Sequence, residues 1–453
     1  MRIYSFPKKE RVRGEIINGG RHVQRIHMIG IKGSGMSALA CILHDNGYSI
    51  TGSDIEETIF TEESLRERNI PIYPFTPANI AEEQIIIAGN AFPDTHEEVA
   101  EALKKAKVFY RYHEFLGEWV NKHISIAISG THGKTSTTGM MSCVFNDVYK
   151  TSYLIGDGTG KGTPDSTHFI FEACEYRRHF LAYQPDYAVV TNVDFDHPDY
   201  FSSLEDVQNA FTQFASGVKK GLIVCGDNVY AKGIHAEVPT YTYGVTEGNL
   251  LQAKNISTNE GHTKIDVWYK NEFIQEMVIP LVGTHHIQNT LAVVMVALLE
   301  KLPLDIAQSS LMIYKGVKRR FQTLLTENYV VIDDYAHHPT EISATLETAR
   351  LTYPTKPIVA VFQPHTYTRM GKFMQEFADS LKGADKVYLC SIFGSAREKV
   401  AKLDITDLQK LIPQSEIIEE DNVDRLLKEK EAVLLFMGAG DIQKYEKKFL
   451  SLQ

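Results

Sequence analysis

The stretch Gly130-Thr131-His132-Gly133-Lys134-Thr135-Ser136 joins two flexible backbone positions to a cation and to hydroxyl groups. That combination suits a phosphorylated ligand. Gly130 and Gly133 allow a tight turn and a close backbone approach. Lys134 offers a point charge for the β- and γ-phosphates, and the Thr135 hydroxyl can ligate Mg²⁺. Two residues separate the glycines where the general phosphate-loop pattern has four, so the loop is a short variant. Before it, Ile124, Ile126 and Ile128 alternate with small residues, as in a buried strand. After it, Thr135 to Phe145 reads as a helix. Strand, turn and helix N-terminus together aim backbone N–H groups and the helix dipole at an anion.

Other reactive side chains fall just past predicted strands. Glu172 ends a strand at 168–172, and Asn192 and His197 follow one at 186–191. Ligands of α/β proteins bind at the carboxyl ends of parallel strands, so Glu172 and His197 are expected to face the crevice of Thr135. Gly283 to Asn289 contains His285 and opens a helix running to about Glu300. A strand at 329–333 leads into Asp333-Asp334-Tyr335-Ala336-His337-His338-Pro339-Thr340-Glu341. Pro339 at an early position and Glu341 in the first turn mark a helix start there. A strand at 358–362 ends in Gln363-Pro364-His365-Thr366-Tyr367-Thr368-Arg369. Strands at 386–390 and 432–436 follow, the last running into Met437-Gly438-Ala439-Gly440-Asp441.

These loops need a scaffold, and the pattern supplies an α/β one. A strand at 25–30, a turn through Gly30, Gly33 and Gly35, a helix to Asn46 and a strand at 48–52 form a βαβ start. Asp54 follows about twenty positions after the glycines, where a dinucleotide site has an acidic residue. The glycine spacing is not that of a nicotinamide fingerprint, but the turn still suits a diphosphate. Helical and strand patterns alternate through Ile85–Ala88, 96–106 and Val108, which predicts a parallel sheet. The polar-interleaved strands of 251–280 predict an antiparallel addition.

With 453 residues the chain is too long for one core, so two or three domains are expected. Its net charge of −10 argues against nucleic acid or a membrane surface as the main partner. Cys41, Cys143, Cys174, Cys225 and Cys390 are scattered, with no Cys-x-x-Cys pair, and no ligand set at zinc spacing accompanies His285-His286. Residues 1–22 read as a polar, basic arm. No signal-peptide core and no bilayer-length apolar run is evident, so a cytoplasmic location is expected.

Taken in order, these motifs resemble the Mur ligase family, whose phosphate loop has the short spacing of Gly130–Thr135. Gly30-Ile31-Lys32-Gly33-Ser34-Gly35-Met36-Ser37 resembles the alanine-adding branch in particular. So do Gly283-x-His285-x-x-x-Asn289, Lys318-Arg319-Arg320-Phe321, Asp333–Glu341, Gln363-Pro364-His365 and Met437–Ile442. The resemblance implies three α/β domains. A Rossmann-like unit, 1–122, binds a UDP-sugar. A central phosphate-loop ATPase unit, 123–318, has a parallel sheet with an antiparallel addition. A Rossmann-like unit, 319–453, binds the amino acid. The implied reaction joins L-alanine to UDP-N-acetylmuramate with ATP and Mg²⁺, in bacterial peptidoglycan synthesis, by a monomer or homodimer.

By position, the resemblance places Gly130, Thr131, His132, Gly133, Lys134, Thr135 and Ser136 on the ATP phosphates. His285 and Asn289 fall beside the adenine, Arg320 on the phosphates and Asp334 on the ribose. Thr135, Glu172 and His197 hold Mg²⁺, with Lys134, Glu172, His197, Arg320 and His337 as the catalytic set. Gly33, Ser34 and Gly35 face the UDP diphosphate, with Asp54 and Asn192 also on the UDP-sugar. Tyr335, His337 and Arg369 form the alanine side. Two alternatives stand beside this reading. One is a murein-tripeptide ligase acting on the same sugar. The other, of a different class, is a nicotinamide-dependent dehydrogenase built on Gly30–Asp54.

Overall fold

The computed structural model describes residues 24–326, 328–394 and 403–453, so the basic stretch 1–22 lies outside the described residues. Three sheets follow one another along the chain, of five, ten and six strands. The first is parallel, in the spatial order Ile72–Tyr73, Ser49–Ser53, Arg25–Ile29, Ile85–Ala88, Val108–Arg111. The order reverses at Arg25–Ile29, which places the glycine turn after that strand at the crevice where such sheets take ligands.

The central sheet positions the phosphate loop. Strand Ile124–Ser129 pairs in parallel with Tyr187–Val190 on one side and His168–Glu172 on the other. The loops after these two neighbours therefore flank the turn after Ile124–Ser129. The sheet is buried on both faces, as parallel sheets are. Ile126, Ile128, Ile170 and Val189 pack on one face with Met140, Met141, Leu291 and Leu311 from the covering helices. Ala127, Phe169, Phe171 and Val190 face a second core that holds Phe180, Phe211 and Phe214. That core continues into the first unit through Phe115, Leu116 and Trp119. Beyond Gly221–Cys225 and Thr240–Gly244, the strands Leu251–Asn259, His262–Tyr269 and Glu272–Ile279 form the expected antiparallel addition.

A glycine contact brings the first unit close to the second. A Cβ on Gly160 would lie 2.0 Å from the carbonyl oxygen of Ala38, so strand Gly160–Lys161 rests on the backbone of helix Ser34–Asp45. Arg68 and the Gly162 N–H both bind the Asp45 carboxylate at the same junction.

In the third sheet, strand Val433–Met437 lies between Val330–Asp334 and Ile358–Phe362, all parallel. The loops leaving these strands converge. The Gln363 side chain donates to Asp441 at 2.7 Å, and the Gly438 N–H donates to the Asp334 carbonyl at 3.1 Å. An antiparallel edge strand, Gln322–Leu325, pairs with Val330–Asp334 and was not foreseen. No helix among the described residues is long and apolar enough to cross a membrane.

Candidate active site

Helix Lys134–Asn146 begins without a side-chain cap. Its first N–H groups are left for a ligand, and the helix dipole favours an anion there. Gly130 has φ +130°, and a Cβ on it would sit 2.0 Å from the Thr191 hydroxyl, so only glycine fits the turn. Asn192 braces the loop. Its carbonyl oxygen accepts from the His132 N–H at 2.9 Å, and its amide donates to the His132 carbonyl at 3.0 Å. Asn192, expected on the UDP-sugar, thus has both ends of its side-chain amide on the phosphate loop here, and its amide nitrogen also approaches the Thr191 hydroxyl at 3.5 Å.

Lys134 folds into that loop. Its ammonium donates to the carbonyls of Gly130 at 2.5 Å and Thr131 at 2.9 Å, and pairs with Glu175 at 3.0 Å. Burial opposes the charge, but Glu175, Cys174 and Glu172 outweigh it and hold the lysine pKa above its usual range. Thr135 donates its hydroxyl to Glu172 at 2.8 Å, so the expected pair meets. His197 meets the same group through Glu175, the partner of Lys134. Its Nε2 is 3.6 Å from Glu175, whose side chain is 2% exposed. Sequence reasoning missed Glu175 as a site residue. The available signal was a second carboxylate three positions past Glu172, in the same loop after a strand end. His197 has φ +55°, a strained conformation that clusters at functional sites.

The third unit reaches the same loop. His132 places Nε2 3.2 Å from Asp194 and Nδ1 3.3 Å from Glu341. Burial alone would lower its pKa, but hydrogen bonds to both carboxylates raise it to about 9. Glu341 also accepts from the His337 N–H at 3.0 Å, lies 3.1 Å from His337 Nδ1 and is 3.6 Å from Arg320. The Arg320 guanidinium stacks over Tyr335 at 5.0 Å, with Arg319 over the same ring at 4.9 Å. Asp334 accepts the N–H groups of Ala336 and Phe321, and burial raises its pKa to about 6. Asn289 lies against the loop as well: a Cβ on Gly133 would be 3.1 Å from its side-chain oxygen. His285, one helical turn earlier, is kept neutral by burial, which lowers its pKa to about 4.

Arg369 was expected at the alanine carboxylate. The structure gives it another partner: its Nε donates to Asp196 at 3.0 Å and its Nη2 to the same carboxylate at 3.4 Å. Its Nη1 donates to the His365 carbonyl at 3.2 Å, and the side chain is 5% exposed. Arg369 thus ties the third unit to the loop after Tyr187–Val190. Arg369→Lys keeps the charge but loses the fork. The expected outcome is a fall in kcat of about tenfold, equivalent to ~1.4 kcal/mol, with no selective change in any substrate KM. A large rise confined to the amino-acid KM would return the guanidinium to the substrate carboxylate.

In the first unit, Gly33 starts helix Ser34–Asp45, again without a side-chain cap, so Ser34 and Gly35 present free N–H groups. Asp54 accepts the backbone N–H of Lys32 at 2.7 Å and of Ile55 at 2.8 Å, which shapes the loop it begins. Lys32 is buried and donates to the carbonyls of Ile55 at 2.8 Å and Glu57 at 2.9 Å. It also pairs with Glu62 at 3.1 Å. Lys32→Met strips these contacts and is expected to cost about 3 kcal/mol. It should also weaken binding of any diphosphate ligand that the Gly33–Gly35 turn takes, through the loosened loop. A denaturant midpoint equal to the wild type would show that Lys32 supports nothing.

A glycine turn and uncapped helix start in a parallel sheet, flanked by acidic loops and covered by a second α/β unit, define an α/β fold with a candidate site for a phosphorylated ligand. Three family models match consecutive segments: the Mur ligase family catalytic domain over 25–123, the Mur ligase middle domain over 128–297, and the Mur ligase glutamate ligase domain over 319–440. The chain belongs to the Mur ligase family of ATP-dependent ligases. It is similar to the UDP-N-acetylmuramate–alanine ligase of Thermotoga maritima, with TM-score 0.80 and 25% identity over 94% of this chain and 98% of that one. A murein peptide ligase of Psychrobacter arcticus shares the fold at TM-score 0.69 and 21% identity, over 94% and 98%. The MurF ligase of Thermotoga maritima, solved with ADP, does so at 0.63 and 16%, over 89% and 94%.

Mg²⁺ is tested by the donor set. The Thr135 hydroxyl and Glu172 carboxylate are hard oxygens in mutual contact at the phosphate loop. Mg²⁺ binds through one or two such groups plus phosphate and water, so these residues fit it.

Proposed function

We propose that the protein joins L-alanine to the lactyl carboxylate of UDP-N-acetylmuramate, using ATP and releasing ADP and phosphate. Direct condensation fails in water because oxide is a poor leaving group. The carboxylate oxygen instead attacks the γ-phosphorus, the bond to ADP breaks, and an acyl phosphate results. The alanine nitrogen then attacks the acyl carbon, and phosphate leaves with the bridging oxygen.

Within this reading, Lys134 and Arg320 spread charge on the transferring phosphoryl group. Thr135 and Glu172 would hold Mg²⁺, which neutralises the repulsion between carboxylate and γ-phosphate when bound. His337 Nδ1 faces two acceptors, Glu341 and the Tyr335 carbonyl at 2.9 Å, so its proton sits there. Nε2 then carries the lone pair that takes the amine proton. Gly33, Ser34 and Gly35 receive the UDP diphosphate. His285 and Asn289 flank the adenine, and Asp334 the ribose. Closure of the third unit keeps water from the acyl phosphate.

The observation that most supports this reading is the contact of His132 with Glu341, which brings the His337 loop to the phosphate loop. The test is ADP release with UDP-N-acetylmuramate and a panel of alanine, serine, glycine and the L-alanyl-γ-D-glutamyl-meso-diaminopimelate tripeptide. Release with alanine is expected. Release with the tripeptide alone would make the protein a recycling ligase. No ADP, with an absorbance change at the nicotinamide band, would reverse the class.

A further inference from the structure

Three side chains from separate loops bring ligand atoms together beside the phosphate loop. They are His132 in that loop, Asp194 past strand Tyr187–Val190, and His338 at the N-cap of helix Pro339–Thr352. One ligand atom from each lies within 4.8 Å of the others. His132 Nε2 is 3.2 Å from Asp194 Oδ2, and His338 Nδ1 is 3.9 Å from the same oxygen. An ion about 2.0–2.1 Å from each of its tetrahedral donors holds them about 3.4 Å apart, so the His132–Asp194 pair already matches and His338 must move inward.

The far nitrogen of each ring is already anchored. His132 Nδ1 meets Glu341, and His338 Nε2 meets the Phe195 carbonyl at 3.2 Å. A carbonyl only accepts, so His338 carries its proton on Nε2 and keeps a lone pair on Nδ1. Burial lowers the His338 pKa to about 4 and keeps that ring neutral. Nδ1 accepts one long bond, 3.3 Å, from the Thr340 N–H, which an ion would replace. Imidazoles whose other nitrogen is held by a carboxylate or a carbonyl are oriented as metal-binding histidines are. Two imidazoles and one carboxylate favour zinc-like ions over magnesium.

We propose that His132, Asp194 and His338 form an inhibitory transition-metal site of the zinc class, which fastens the third unit to the phosphate loop. The incoming ion displaces the Nε2 proton of His132 to solvent. The Asp194 side chain is 36% exposed, so water can fill the fourth position. His132 and Asp194 belong to the central unit and His338 to the third, so a bound ion holds the two together. An enzyme that must open to release product stops when it is stapled shut. The inhibitory part rests on the ligase reading; metal binding does not.

The test titrates the full-length, metal-free protein with Zn²⁺ against a chromophoric chelator, with Mg²⁺ in large excess. We expect one high-affinity Zn²⁺ per chain, weakened at least about a hundredfold in His338→Asn. Asparagine keeps the helix cap, so loss of folding is not built into that variant. Glu172→Gln should bind Zn²⁺ as the wild type does, which separates this site from the magnesium set. Co²⁺ on the wild type should give the intense visible bands of a tetrahedral site. With Mg²⁺ present, Zn²⁺ should inhibit ADP release in the wild type and not in His338→Asn, each measured against its own zinc-free rate. Absent stoichiometric binding, binding undiminished in His338→Asn, or featureless Co²⁺ spectra would overturn the site. Binding without inhibition in an active ligase would overturn the staple.

Discussion

Lys134→Ala is expected to lower the rate of ADP release by about three orders of magnitude while leaving UDP-sugar affinity within about twofold. The lysine is the cation at the centre of the phosphate loop, held there by two loop carbonyls and by Glu175. A nucleotide competes for it with a stronger charge than one carboxylate, so the ammonium can pass from Glu175 to the β- and γ-phosphates. Alanine removes that charge and all of its donors. The glycine turn at Gly33–Gly35 belongs to a different sheet and keeps its own uncapped helix, so the UDP-sugar site proposed there loses no partner. Glu175 is left facing only His197, whose pKa burial lowers, so a stability loss of about 3 kcal/mol should accompany the kinetic one. Steady-state kinetics and calorimetry for the two ligands decide it. Equal losses of ATP and UDP-sugar affinity would sink the separation of sites.

What the sequence made legible was whatever one strand and its following loop carry alone. Gly130, Gly133, Lys134 and Thr135 announce an anion site because their conformational freedom, charge and hydroxyl act within six residues. The strands His168–Glu172 and Ile358–Phe362 were readable because buried parallel strands are continuous apolar runs ended by polar residues. The edge strand Gln322–Leu325 was not, since its mixed polar and apolar residues sit on a partly exposed edge. Pairings between distant loops were illegible for a different reason. Asn192 and Arg369 have the chemistry to bind a ligand, and nothing local says that His132 and Asp196 reach them first. The same holds for His132, whose two carboxylates come from residues 62 and 209 positions away. His285-His286 drew attention as an adjacent histidine pair, while the histidines that do converge, His132 and His338, lie far apart in the chain.

Glu172 and Glu175 are expected to fail in opposite ways when each is made glutamine. Glu172 is half-buried, and its one close hydrogen-bond partner among the described residues is the neutral Thr135 hydroxyl. Glutamine can keep that bond, so Glu172→Gln should cost under about 1 kcal/mol of stability. It removes the charge proposed to hold Mg²⁺, so the rate should fall at least about a hundredfold and the Mg²⁺ dependence should move to higher concentration. Glu175 is the reverse case. It is buried between the Lys134 ammonium and the His197 ring. Glu175→Gln leaves a buried lysine without its counter-ion, which is expected to cost about 3 kcal/mol. Nucleotide phosphates can replace the lost carboxylate, so saturating ATP should restore most of that stability. The Mg²⁺ half-saturation point should stay that of the wild type, because Thr135 and Glu172 are untouched. Denaturant midpoints with and without ATP, beside Mg²⁺ titrations of the rate, give the four readings. A shifted Mg²⁺ dependence in Glu175→Gln would move the metal toward His197 and make Glu175 its ligand. An unshifted one in Glu172→Gln would leave Glu172 a structural partner of Thr135.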